Sequence, residues 1–173
     1  MKHESSHHTP GWLGALVALA LLAVARPAAA TGECGGPEPN SVLGCLESAY
    51  QLRSFAAYQA LLAPDFQMLV FADTVQVDGW DREKELKSTR GFFQDAKIRS
   101  VKLRFDRAAM TTESNGEGSW VLAGVPSHLA IESKVDGEVR RVDVDTPSNR
   151  IFVRKAEGGH WEIYRWEDHE AAK

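Results

Sequence analysis

The sequence predicts an α+β domain in which three N-terminal helices pack on a strongly curved antiparallel sheet, and three observations carry that prediction. Apolar residues recur with helical spacing in segments before Ile98, the period drops to two beyond it, and turn signals divide the second half into extended stretches. Helices gathered first and strands last, rather than in alternation, argue against βαβ units. The 173 residues are 43% apolar and 25% charged, which supports one folded domain with a true core and excludes a disordered chain. A net charge of −4, from 20 Lys+Arg against 24 Asp+Glu, argues against nucleic acid or an anionic membrane surface as a partner, since both require a cationic face.

Residues 1–30 have the order of a secretory signal peptide. Lys2 and polar residues lead into the uncharged run Trp12–Ala25, and Arg26-Pro27-Ala28-Ala29-Ala30 supplies a small-x-small cleavage site, placed after Ala30. The run falls short of the roughly 18–20 apolar residues of a spanning helix. A cleaved chain that is secreted or periplasmic, with no stable membrane anchor, is therefore expected. Lipidation at Cys34 is disfavoured by the preceding Thr31-Gly32-Glu33. Cleavage removes Lys2, Arg26 and Glu4, together +1, and leaves an acidic domain of charge −5. In an oxidising compartment Cys34 and Cys45 are expected to form a disulfide, worth about 2–3 kcal/mol from loop entropy, although two unpaired thiols remain the alternative. No histidine lies near either cysteine, so a zinc site is not expected, and no metal or other cofactor is predicted.

Residues 31–40 read as a linker and 41–170 as the domain. Asn40 or Ser41 can cap a first helix through a side-chain oxygen, and Val42, Leu43, Leu46, Ala49 and Tyr50 then share one face. Phe55, Tyr58, Leu61 and Leu62 form a second apolar set behind Ser54, closed by Pro64. Phe66–Phe71 reads as a buried strand and Asp73–Gly79 as a loop. Asp81 caps a third helix with Glu83 and Glu85 at its positive end and with Leu86 and Phe93 facing the core. Next come alternation over Val101, Leu103 and Phe105, a turn at Asn115–Gly118, and a strand Trp120–Lys134 that bends at Gly124-Val125-Pro126. The Asp136-Gly137 hairpin leads to Val139–Val144, Pro147-Ser148-Asn149 is read as a turn into Ile151–Lys155, and Gly158-Gly159 leads to Trp161–Trp166. In that last strand, strict alternation sends Trp161 and Ile163 to one face and Tyr164 and Trp166 to the other. Both faces then need cover, which predicts a homodimer through the sheet unless the chain's own loops shield one face.

Three local patterns in this order resemble the nuclear transport factor 2-like superfamily, with its SnoaL-like and ketosteroid-isomerase-like branches and cystatin-like α+β cone. They are Tyr58-Gln59-Ala60-Leu61-Leu62-Ala63-Pro64-Asp65-Phe66, Trp80-Asp81-Arg82-Glu83, and Gly159-His160-Trp161-Glu162-Ile163-Tyr164-Arg165-Trp166-Glu167-Asp168. The resemblance implies helices leaning on a bent sheet around a cone-shaped apolar pocket, with Tyr58, Phe93, Trp120 and Trp166 as candidate ligand-binding aromatics. It also implies catalytic candidates. Asp73, after the first strand, roughly matches the proton-shuttling carboxylate of the ketosteroid isomerase branch, and Tyr50 its oxyanion-stabilising tyrosine, although Thr74 departs from that branch's pattern. His128, paired with Asp143 or Asp145 of a neighbouring strand, would resemble the acid-base site of scytalone dehydratase. The bland readings are a turn aspartate, a core tyrosine and a surface histidine, and Asp143-x-Asp145 lacks further ligands for a metal.

Fold transfers no chemistry. The leading reading is an exported, non-enzymatic domain with a pocket for a small apolar molecule. The alternatives are a small isomerase, dehydratase or cyclase acting on an apolar carbonyl compound, and a protein-interaction module that uses the sheet face.

Overall fold

A computed structural model of the protein describes residues 36–170; the leader, its cleavage site and Cys34 lie outside the described residues. The elements are α1 (Ser41–Gln51), α2 (Phe55–Leu61), β1 (Leu62–Ala72), β2 (Val75–Asp81), α3 (Arg82–Gln94), β3 (Ile98–Phe105), β4 (Thr111–Ser114), β5 (Ser119–Val135), β6 (Glu138–Lys155) and β7 (Trp161–Glu170). Only α1 and α2 precede the sheet. Asp73–Gly79, read as a loop, is instead the turn Asp73-Thr74 and most of β2, so α3 follows a hairpin. β2 is an edge strand, exposed on both faces over Val75–Asp78, and carries no burial alternation for a sequence reading to detect.

The helices begin where the capping residues direct. Asp81 accepts from Lys84 N at 3.0 Å ahead of α3, and Ser54 accepts from Ala57 N at 3.3 Å ahead of α2. Asn40 makes no such bond; its backbone already lies in the helical region, and a preceding turn, with Ser41 N donating to Glu38 O, introduces α1. The break between α1 and α2 falls at Arg53, at φ 50°. Its guanidinium donates to the carbonyls of Phe93 in the last turn of α3, of Asp95 just beyond it and of Ile98 at the start of β3, and so ties the α1–α2 break to the end of α3. Val42, Leu43, Cys45, Leu46 and Ala49 bury the inner face of α1.

The strands form one sheet in the order β2-β1-β7-β6-β5-β3, with β4 paired to β5. It is antiparallel except between β1 and β7, which run parallel. The bend of β5 falls where the sequence places it, at Gly124 (φ 66°), with register shifts on both sides of Val125. Across that bend β6 continues unbroken, and this corrects the turn expected at Pro147-Ser148-Asn149. The register passes from Thr146 opposite Ser127 to Asn149 opposite Val125, so Pro147 sits in the irregular stretch where its missing N–H removes no regular ladder bond.

A second irregularity lies in β7. Arg165 pairs with Phe152 and Ile163 with Val153, which leaves Tyr164 as a bulge. The extra residue resets the alternation, so Trp161, Ile163 and Trp166 all enter the same core and the expected division of aromatics between two faces does not occur. On the opposite face Phe152 is covered by Arg150 and Arg165, whose guanidinium carbons lie 5.3 and 4.9 Å from its ring centroid. Glu167, buried beside them, pairs with Arg165 at 2.5 Å and Arg150 at 3.3 Å.

Candidate functional site

Residues of the sheet and of the three helices line a half-open cavity of about 370 Å³. Each helix contributes side chains to it, most of them polar. Tyr50 comes from α1, Tyr58 from α2, and Glu85, Ser88, Thr89 and Phe92 from α3, where the i, i+4, i+7 spacing of Glu85, Thr89 and Phe92 makes one stripe. The sheet supplies a largely apolar floor of Met68, Leu103, Leu129, Ile131, Val144 and Trp166, with Trp80 at the β2 side and Asp168 on β7.

Glu85 is the centre of the polar network. Tyr58 Oη donates to its Oε1 at 2.6 Å, Thr89 Oγ1 to the same oxygen at 2.8 Å, and Trp80 Nε1 to Oε2 at 2.6 Å. Three neutral donors hold the carboxyl group in a fixed orientation. Burial first, then the charge of Glu85, pushes the Tyr50 hydroxyl well above the usual tyrosine range, against an opposing hydrogen-bond contribution from Tyr58. Burial likewise raises Tyr58, with Tyr50 and Glu85 adding to it. Both phenols therefore stay protonated and can act as hydrogen-bond donors. Phe93 packs edge-to-face behind them, with its ring centroid 5.2 Å from that of Tyr50 and 6.0 Å from that of Tyr58.

The floor is fixed by Asn149, which is 1% exposed. Its amide donates to Val125 O at 2.7 Å and Ser127 Oγ at 3.1 Å, and its Oδ1 accepts from Trp166 Nε1 at 2.8 Å. This network ties the bent part of β5 to β7 and sets the plane of the Trp166 indole.

Of the sequence-derived candidates, Tyr50, Tyr58 and Trp166 reach the cavity wall. Phe93 supports it from behind. Trp120 packs against the core at the far end of β5 and is absent from the lining. Asp73 is an exposed residue at φ 55° in the β1–β2 turn, away from the cavity wall, because the segment after β1 folds back as β2. His128 does find aspartates on the adjacent strand: its Nδ1 lies 2.7 Å from Asp145 Oδ1 and its Nε2 lies 3.2 Å from Asp143 Oδ1. Its neighbours Ser127 and Leu129 line the cavity, so alternation turns His128 and its aspartates to the outer face. Asp73, Tyr50 and His128 thus occupy three separate places and form no common site. Among the described residues no cluster of three or more His, Cys, Asp or Glu can hold a metal ion.

Sequence reasoning missed Glu85, Trp80, Thr89, Asn149 and Asp168. For Glu85 a signal existed in the α3 stripe, but a carboxylate in the first turn of a helix already has an explanation in the helix dipole.

Helices laid on one face of a bent sheet around a cavity define a class of α+β cones. The chain has the fold of the nuclear transport factor 2-like superfamily. Similar solved structures include a conserved protein from Planctomyces limnophilus (TM-score 0.57, 13% identity, covering 75% of this chain and 91% of that one). A nuclear transport factor 2-like superfamily protein from Salmonella enterica serovar Typhimurium matches with a TM-score of 0.55, 12% identity, and 78% and 89% coverage. A ketosteroid isomerase-like protein from Erwinia carotovora atroseptica matches with a TM-score of 0.51, 10% identity, and 78% and 95% coverage. No family model matches the chain, and no curated protein matches it. At these identities the likeness concerns the fold alone.

Proposed function

We propose that the chain is an exported domain of this fold that binds a small molecule with an apolar body in the cavity and performs no chemistry there. The observation that carries this reading is Glu85: three of its roughly four acceptor positions are occupied by Tyr58, Thr89 and Trp80, which suits a fixed recognition group better than a proton-shuttling base. The separation of Asp73, Tyr50 and His128 supports it against the isomerase reading. Export rests on the leader of residues 1–30, and a Cys34–Cys45 disulfide would tie the linker to the buried Cys45 of α1.

Native mass spectrometry of the chain expressed with its leader in an oxidising compartment tests the reading. The expected spectrum has the mass of residues 31–173 less two hydrogens and carries a small-molecule adduct that Leu129→Trp, which fills the cavity, removes. Retention of the leader would overturn export. No adduct, together with no rise in Tm across a panel of small amphiphiles, would overturn the binding reading.

Self-association is proposed at a different surface from the sheet face. Over residues 138–147 β6 has β5 on one edge and, among the described residues, no strand on the other. Val142 is 53% exposed there. Antiparallel pairing of two copies centred on Val142 would set Arg141 opposite Asp143 of the partner subunit, which gives the edge a complementary charge pattern.

A further inference from the structure

We propose that the cavity's ligand is an apolar alcohol whose hydroxyl donates a hydrogen bond to Tyr50; this rests on the cavity being a ligand site. The direction of the hydrogen bonds in the wall carries the assignment. A phenol has one proton to donate and accepts through its oxygen lone pairs. Tyr58 gives its proton to Glu85 Oε1 at 2.6 Å. In the bond that joins Tyr50 to Tyr58, Tyr58 therefore accepts and Tyr50 donates. The Tyr50 proton is spent inside the protein, and what its oxygen offers the cavity is a lone pair. A ligand hydroxyl satisfies that oxygen, whereas a ketone carbonyl would set acceptor against acceptor. This reverses the donor role that the family resemblance implies for Tyr50.

Other donors of the wall are engaged in the same way. Trp80 Nε1 and Thr89 Oγ1 donate to Glu85, Trp166 Nε1 donates to Asn149 Oδ1, and the Asn149 amide donates to Val125 O and Ser127 Oγ. These bonds hold the wall rigid and keep those protons from a ligand. Ser88 differs, because it lies i+3 from Glu85 on α3 and its rotatable hydroxyl can turn to donate to the alcohol oxygen while the alcohol donates to Tyr50. A hydroxyl, which both donates and accepts, fits that pair. Met68, Leu103, Leu129 and Ile131 suit a hydrocarbon body.

Borneol, camphor and bornyl methyl ether test this on the protein expressed with its leader, because the three share one apolar skeleton and only borneol donates a hydrogen bond. Calorimetry is expected to show borneol binding about tenfold more tightly than camphor or the ether. Tyr50→Phe, which removes the acceptor and keeps the ring, should lower borneol affinity about tenfold and leave the other two unchanged. Tyr58→Phe carries a sharper expectation. Without the Tyr58 oxygen the Tyr50 proton is released to the cavity, so preference should move from borneol toward camphor. Melting curves accompany both variants; if neither folds, the ratio of borneol to camphor affinity in the unmutated chain decides. Equal binding of borneol and camphor, tighter binding of camphor, or a borneol preference that survives Tyr50→Phe would overturn the assignment and leave the cavity reading standing. No binding of any of the three by the folded protein would remove both.

Discussion

Asn149 shows how much one side chain contributes to the cavity floor. It joins Val125 O, Ser127 Oγ and Trp166 Nε1 in a site without bulk water, so truncation leaves several polar groups without partners. Asn149→Ala is expected to lower stability by about 2–4 kcal/mol, seen as a reduced denaturation midpoint. An aspartate there would turn its second oxygen toward Val125 O, so Asn149→Asp should be more destabilising at neutral pH than in acid, where a protonated carboxyl can donate again. Equal loss in both would mean that the amide's donor role is unimportant. Nothing local in Pro147-Ser148-Asn149 distinguishes this residue from a turn asparagine, which explains why the sequence reading placed it in a turn.

At the scale of elements, the helices were legible because their signals are local. Ser54 and Asp81 start α2 and α3 by accepting backbone N–H bonds, and the apolar stripe of α1 lies inward as its spacing predicts. β2 and β4 were illegible for the converse reason, since most of β2 and all of β4 are exposed and neither carries an alternation to read. Strand lengths were also misjudged where a bulge lets a proline or a kink sit inside a continuous strand, as in β6. The cap of α3 has a functional consequence because the same helix carries Glu85 and Thr89. Asp81→Ala should cost about 1 kcal/mol and shift the thermal midpoint down by several degrees. If α3 positions the recognition carboxylate, the same substitution should weaken ligand binding more than Ser54→Ala does, as titration of both variants would show.

At the scale of the whole molecule, the bulge at Tyr164 and the open edge of β6 decide which surfaces remain for partners. The bulge gathers Trp161, Ile163 and Trp166 into one core, and arginines cover Phe152 on the other side, so among the described residues these aromatics do not divide between two uncovered faces. An edge-paired dimer makes a different prediction. Val142→Lys would oppose like charges across the two-fold axis and should convert a dimer to a monomer in light scattering coupled to gel filtration, with Tm of the monomeric fold little changed. Trp166→Ala should instead damage the core and the cavity floor without acting selectively on assembly.

The sequence by itself determined the α+β class, the cap of α3 at Asp81 and the bend at Gly124-Val125-Pro126. All of these follow from spacing and backbone preference within a few residues. Only the tertiary structure decided which way side chains face and what surrounds them: His128 outward, Trp166 inward past a bulge, Asp73 on an exposed turn, and Glu85 enclosed by Tyr58, Thr89 and Trp80. Facing in a strand reverses with each inserted residue, and the surroundings of a carboxylate depend on elements far away in the chain, so neither quantity is encoded in any local window.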